Sequence, residues 1–366
     1  MTTAFQHRCR RAQEAMAAQN LDGLFATISS DLRYLTGYTG HLTTRLNVFW
    51  LPREGTPTLV MPGFETPRLQ HFQVFYDVRG WEETEDPVAI VKGLVGPGRK
   101  TIAVSDQFPS LFLLPLGAAL ADARFVSAGP ILTPLRMIKD ADEIATLREI
   151  GRRMDKVFEE TVRLKFSGRA EMQVGYDIFD IVRAHGLNPV RAGGVASGPN
   201  SASPHHSSTD RVIQRGDAIW LELGQGGTLN GYLADKTRSV HVGEPTAEYR
   251  RVYEVVKAAQ EAAFRAIRPG VPCQEIDRTG RRAIASAGYG QYFIHRLGHG
   301  LGLDVHEPPY IVGGNTLPLQ PGMVFSDEPG IYLPGQFGIR IEDIVTVTAT
   351  GGERFYASTH DLLVVE

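Results

Sequence analysis

The chain is poor in cysteine: Cys9 and Cys273 are the only two among 366 residues. Two thiols cannot form a disulfide framework, and both read as reduced packing residues of a cytosolic protein. An excess of basic charge is also missing. With 38 Lys and Arg against 41 Asp and Glu, the formal net charge is −3 and no basic patch stands out, which excludes nucleic acid as a partner. Long apolar runs are absent too. The longest, Leu111 to Ala121, is too short to span a bilayer and reads as a helix of the core. The start, MTTAFQHRCRR, lacks the apolar centre of a signal peptide, so a cytoplasmic location without membrane contact is expected. Residues 1–135 hold no phosphate loop or dinucleotide fingerprint. What remains is an ordinary soluble composition, 42% hydrophobic and 22% charged, in a length that predicts two domains.

The densest chemistry lies between His295 and Glu342. Three histidines, His295, His299 and His306, fall within twelve positions in HRLGHGLGLDVHEPP. Glu328 stands just before Pro329-Gly330, where a strand breaks, and Glu342 opens the β-branched run Ile344 to Thr348. Carboxylates at strand ends beside imidazoles suit a divalent metal. Gly298 and Gly300 flank His299 and let the backbone pass close to such a centre.

The preceding segment repeats this plan. Glu222 follows Gly216 by six residues, as Glu328 follows Gly322; Asp235 and Glu342 each open a strand-like run, and the two pairs are offset by 106 and 107 residues. Upstream, Phe166-Ser-Gly168 and Arg268-Pro-Gly270 precede matching amphipathic stretches. The chain therefore contains a duplicated unit: long helix, Gly turn, second helix, then a strand pair bearing two carboxylates. Two such units facing each other bring Glu222, Asp235, Glu328 and Glu342 together. Four converging carboxylates repel unless cations sit between them. With His299 they make five ligands, enough for two metals. Glu222 also interrupts the apolar run Ala218 to Leu223, and a charge in a buried strand needs a partner. Asp217 and Asp327 read as turn or neighbour residues.

Residues 1–135 alternate helical and strand-like patterns, an α/β domain. Its Gly- and Thr-rich piece from Tyr34 to Arg45 is either a surface loop or one reaching an active site, with His41 and Arg45 as candidates. Pro130 to Lys139 reads as the linker, and Asp140 with Glu143 as the capping box of a long helix. His205 and His206 sit in a Gly/Ser/Pro-rich loop, free to enter a cleft or to stay solvated. Arg340 shares a strand face with Glu342, and either binds a substrate carboxylate or balances the acids.

On these residues the chain resembles the prolidase/aminopeptidase P/creatinase family of M24-type "pita-bread" metallohydrolases. YLTGY at 34–38, LRMIKDADEI at 135–144, GYLADKTRS, GHGLGLDVHEPP, EPGIY and GIRIED carry the likeness. It implies a creatinase-type α/β N-terminal domain (1–135) and an α+β pita-bread catalytic domain (136–366) with internal pseudo-twofold duplication. It implies Asp235, His299, Glu328 and Glu342 as metal ligands, with Glu222 standing where the peptidases usually have Asp. It implies two divalent ions (Mn, Co, Zn or Fe), a homodimer, Glu328 as general base and acid, and His205 and His306 as catalytic histidines. His295, Arg340 and Arg45 are the expected substrate-binding residues. The implied reaction is hydrolysis of the bond before proline in Xaa-Pro dipeptides. Alternatives are an Xaa-Pro aminopeptidase on longer peptides, a metal-free creatinase-like C–N hydrolase, or a non-catalytic binding protein.

Overall fold

The computed structural model describes residues 4–190, 192–223 and 227–366. The chain divides into two units, Met1–Arg136 and Met137–Glu366. In the first unit the strands are β1 (Gly23–Ala26), β2 (Val48–Pro52), β3 (Thr58–Pro62), β4 (Asp77–Trp81), β5 (Thr101–Val104) and β6 (Arg124–Ser127), of which β1, β2, β3 and β5 are short, mostly buried apolar runs. They make one mixed sheet in the order β4-β3-β2-β1-β5-β6, in which β1, β5 and β6 run parallel. The helices are α1 (Ala4–Ala18), α2 (Ser30–Thr36), α3 (Pro87–Val95), α4 (Ser110–Ala119) and α5 (Gly129–Met137). Phe25, Val48, Trp50, Val60, Ile102 and Phe112 belong to the core of this unit.

One expectation is refined here and one is corrected. The apolar run Leu111 to Ala121 does become a helix of the core, α4, but of the run only Phe112, Leu116 and Leu120 are buried, while Leu111 and Leu114 are 55% and 71% exposed. A helix that is apolar all round still presents only one face to a sheet. Pro130 to Lys139 is mostly not a linker. Through Met137 it is α5, with Ile131, Leu132 and Leu135 buried. Pro130 sits in the first turn, where its missing N–H breaks no helical bond. Ile138 and Lys139 are extended, bridging to Met323 and bonding the Gly322 carbonyl.

The second unit contains the duplication. Its first half is α6 (Ala141–Thr161), α7 (Glu171–Ala184), β7 (Gly194–Ser197), β8 (Ala218–Glu222), the small hairpin β9 (Thr228–Leu229) and β10 (Tyr232–Leu233), and β11 (Thr237–Val242). Its second half is α8 (Ala247–Ala266), α9 (Cys273–Ser286), β12 (Gly298–Gly300), β13 (Glu307–Ile311), β14 (Val324–Asp327), the hairpin β15 (Gly330–Leu333) and β16 (Phe337–Arg340), and β17 (Asp343–Val347), followed by β18 (Gly352–Arg354) and β19 (Leu363–Val365). The larger sheets are β19-β11-β8-β7 and β13-β12-β14-β17-β18. The halves agree bond for bond at the helix junctions. Gly168 N–H donates to Ile213 O and Ile213 N–H to Arg169 O; Gly270 N–H donates to Leu319 O and Leu319 N–H to Val271 O. The turn glycines match as well, with positive φ at Gly168 (81°) and Gly270 (85°), and at Gly216 (97°) and Gly322 (88°). Only glycine adopts such angles without strain.

In each half the helices pack on the strands of the same half. Leu147, Met154, Val174 and Ile178 of α6 and α7 pack on Ile219, Leu221 and Val240. Val252, Val256, Ile276 and Ile284 of α8 and α9 pack on Phe325 and Val345. The glycines beside His299 serve this packing. A Cβ on Gly298 would lie 1.7 Å from Ser326 O, and one on Gly300 would lie 2.3 Å from Pro308 O. They let β12 press against its neighbouring strands, which fixes where His299 stands. Gly298→Ala is therefore expected to cost about 3 kcal/mol or more, since backbone cannot yield as a side-chain tip can. Urea unfolding of the purified variant checks this.

Candidate metal centre

The strand ends β8, β11, β14 and β17 meet along the seam between the halves. Arg340 N–H and Ser239 Oγ bond across it (3.0 Å), as do Glu342 N–H and Thr237 O (3.0 Å). A cavity of about 540 Å³ opens over this seam, lined by Glu222, Asp235, His299, Glu328 and Glu342 together with His205, His206, His295, Arg296, His306 and Arg340. All five expected metal ligands thus converge, one carboxylate pair from each half plus one imidazole. Ligand atoms of Asp235, His299 and Glu342 lie within 4.8 Å of one another.

His299 is oriented from behind. Its Nδ1 donates to Gly300 O (3.1 Å), which turns Nε2 toward Glu328 Oε1 (3.2 Å) and Asp235 Oδ2 (3.6 Å). A carbonyl partner of this kind fixes the tautomer of a ligating imidazole. The acids respond unequally to burial. Asp235 and Glu342 are pushed well above the usual carboxylate range, by burial first and then by the other acids. Burial would raise Glu328 too, but its hydrogen bond to His299, and Arg340 beyond it, hold it at about 2.

Glu222, the longer residue where Asp is usual, has found the partner its buried position requires. Arg340 Nη2 donates to Glu222 Oε2 at 2.8 Å. The rest of that guanidinium is also engaged, with Thr237 Oγ1 (3.0 Å), Pro204 O (3.0 Å) and Tyr332 OH (3.1 Å). Thr237 Oγ1 further lies 3.0 Å from Glu222 and 2.7 Å from Glu342. Tyr332 OH lies 3.0 Å from His295 Nε2, whose Nδ1 donates to Arg296 O (2.7 Å). Burial lowers the His295 pKa, so the ring is neutral and accepts the tyrosine proton.

The remaining histidines differ in their freedom. His206 is tied to Glu171 (2.9 Å), a fully buried carboxylate that also accepts from Ser197, Asn200 and Thr209 and so anchors the whole loop. His205, its neighbour, lines the cavity with no hydrogen-bond partner among the described residues. His306 stands edge-on to His299 with ring centroids 4.2 Å apart. Burial, then His299 and Arg296, pulls it down to about 4. Its carrier loop is fixed by the buried Lys139–Glu307 pair at 2.7 Å. Arg45 lies on the N-terminal unit, where it pairs with Glu83 at 2.6 Å. Asp217 is a turn residue paired with Arg211 at 2.6 Å. Asp327 is fully buried, with neither oxygen hydrogen-bonded among the described residues.

Sequence reading missed Thr237, Tyr332, Glu171 and Arg296. Thr237 had a local signal, since it lies two residues from Asp235 in ADKTRS; the others depend on contacts between distant segments.

Comparison with known proteins agrees with this geometry. Residues 145–349 match the model of metallopeptidase family M24, and residues 8–138 match the creatinase/prolidase N-terminal domain. The chain is 40% identical over 365 residues to a probable dipeptidase PepE of Mycobacterium bovis, covering 99% of this chain and 96% of that one. Among solved structures it is similar to dipeptidase PepE of Mycobacterium ulcerans (40% identity, TM-score 0.92, 100% and 98% covered). It is equally similar in fold to a prolidase of Thermococcus sibiricus (35% identity, TM-score 0.93, both chains covered in full). An α/β N-terminal domain followed by a duplicated pita-bread domain, with five ligand-type side chains on its seam, makes this chain a member of metallopeptidase family M24.

Proposed function

We propose that the protein hydrolyses the peptide bond before proline in Xaa-Pro dipeptides with two divalent metal ions. The observation that carries this reading is the convergence of Glu222, Asp235, Glu328, Glu342 and His299 beside two imidazoles, His205 and His306, that have no hydrogen-bond partner among the described residues. The donor set fits divalent cations. Asp235 and Glu342 sit well above their ordinary range through burial and then the neighbouring acids, a repulsion that divalent cations would relieve, and His299 Nε2 faces Asp235 and Glu328 in the same space. Glu222, Asp235, His299, Glu328 and Glu342 would hold the ions. The oxygen-rich set with one nitrogen admits Mn, Co, Zn or Fe. When bound, the ions supply Lewis acidity and an acidified water.

The chain's own groups complete the reaction. Glu328 is ionised and so is able to take the proton of the attacking water. Water oxygen bonds the carbonyl carbon, the carbon–nitrogen bond breaks, and Glu328 returns the proton to the prolyl nitrogen. That nitrogen belongs to a tertiary amide without N–H. Recognition therefore falls to shape and to donors toward the carbonyl oxygen, a role for the neutral His306 and for His205. Relatives named dipeptidase and prolidase support the same reading. We carry the expected homodimer as part of the proposal; light scattering of the purified protein tests it.

His299→Ala is expected to lose bound metal, read by elemental analysis, and to lower Ala-Pro turnover at least a thousandfold. A variant that keeps both its metal and its rate overturns the assignment. A second expectation concerns the metal-free protein. A carboxyl whose folded pKa is raised binds more protons folded than unfolded, so its contribution falls as pH rises above the ordinary Asp value. Asp235→Asn removes that loss. In chelator, its urea midpoint should match wild type near pH 4 and exceed it increasingly toward pH 8; with divalent metal added, wild type should be the more stable.

A further inference from the structure

The segment between β18 and β19, residues 355–362, has no part in the scheme above. It crosses the back of Asp235, which sits in the unpaired link from β10 to β11. One side chain of the segment takes both backbone groups of that acid. Tyr356 OH accepts from Asp235 N–H (3.2 Å) and donates to Asp235 O (2.7 Å). Glu328 and Glu342 also lie just beyond strand ends, but their N–H groups donate to main-chain carbonyls, Leu297 O (2.9 Å) and Thr237 O (3.0 Å). We propose that Tyr356 is a positioning residue of the metal centre: its hydroxyl sets the backbone of Asp235 and thereby the affinity of the cavity for divalent cations, an inference that rests on the metal-dependent reading.

Three observations carry it. First, buried peptide groups outside a ladder must find other partners. A hydroxyl that donates and accepts across one residue fixes the peptide planes on both sides of it. Asp235 Oδ2 lies 3.6 Å from His299 Nε2, so a small turn of those planes takes the carboxylate away from an ion shared with His299. Second, the hydroxyl is itself held. Ahead of it, Phe355 N–H donates to Ile344 O (3.0 Å). Behind it, the N–H groups of Ala357 and Ser358 donate to the two oxygens of Asp155 on α6 (2.7 and 3.1 Å). Asp155 also pairs with Lys236, the residue after Asp235, at 2.8 Å, and that ammonium lies 4.8 Å from the centroid of the Tyr356 ring. The link and the segment crossing it therefore share one anchor. Third, Asp235 shares the cavity with Glu222, Glu328 and Glu342. Acids so placed repel when ionised, which is the state a metal requires. A link without a ladder yields to that push unless something grips it, and Tyr356 supplies the grip.

Calorimetry with Mn²⁺ on the chelator-stripped protein tests this. Tyr356→Phe keeps the ring against Lys236 and removes only the hydroxyl. Its Mn²⁺ affinity is expected to fall about tenfold or more, the usual effect of losing a group that orients a ligand. The Mn²⁺ concentration that half-activates Ala-Pro hydrolysis should rise by the same factor, while kcat and KM at saturating Mn²⁺ stay close to wild type. A merely structural hydroxyl lowers the melting temperature in chelator and leaves Mn²⁺ affinity unchanged; that result overturns the inference. Should Tyr356→Phe fail to fold, Asp155→Asn decides. It touches no ligand and loosens both Lys236 and the chain behind Tyr356, so it should weaken Mn²⁺ binding in the same direction, and wild-type affinity there overturns the inference. Asp361→Asn frees only the exposed pair with Lys257 at the far end of the segment and should keep wild-type affinity. An equal loss in that variant shows general loosening and also overturns it. Weakened Mn²⁺ binding in Tyr356→Phe, in a protein that cleaves no Xaa-Pro peptide, overturns the functional proposal and leaves the inference standing.

Discussion

Mutual repulsion among buried carboxylates is the constraint around which the C-terminal unit is built. Its solution has two layers, set by the alternation of side chains along a strand. Glu342 faces the cavity and is driven upward by burial and its fellow acids. Asp343, one residue on, points to the other side and is held below the usual range despite burial, because Arg238 (2.7 Å) and His360 (2.7 Å) meet it there. Arg238 also donates to the carbonyl of Glu342 (2.6 Å) and so binds the two layers together. In the rear layer Asp343 is compensated within the protein, and in the front layer Arg340 meets Glu222 while Asp235 and Glu342 are pushed upward together.

The same economy governs the histidines. Each mobile-seeming loop is fixed by a buried charge, Glu171 under the 197–209 segment and the Lys139–Glu307 pair under the segment bearing His306. The imidazoles proposed to touch substrate, His205 and His306, are spared from those bonds. Rigid carriers with unbonded tips are what a site needs if it is to contact a transition state without first breaking its own contacts.

How much of this could be read from the residues alone depended on the range of the interaction. Glu222, Asp235, Glu328 and Glu342 were legible because each lies at a strand end and the spacing recurs, both local patterns. The need of Glu222 for a partner was legible too, from its place in an apolar run. That the partner is Arg340 was not, since 118 residues separate them; the strand-face argument left substrate and acid as equal choices for that guanidinium. In the N-terminal unit, the prolines at 130 and 134 concealed α5, and the apolar run at 111–121 overstated how much of α4 is buried.

The pairing of the strands places Ala196 of β7 opposite Trp220 and His299 of β12 beside Ser326, at matching points of the two halves. An inert methyl in one copy thus answers the imidazole in the other. Once two equivalent units share a single polypeptide, each is released from having to serve both sides of the axis. One copy can present a buried imidazole from its strand while its twin contributes acids and the loop bearing His205, an asymmetry that a pair of identical chains could never acquire.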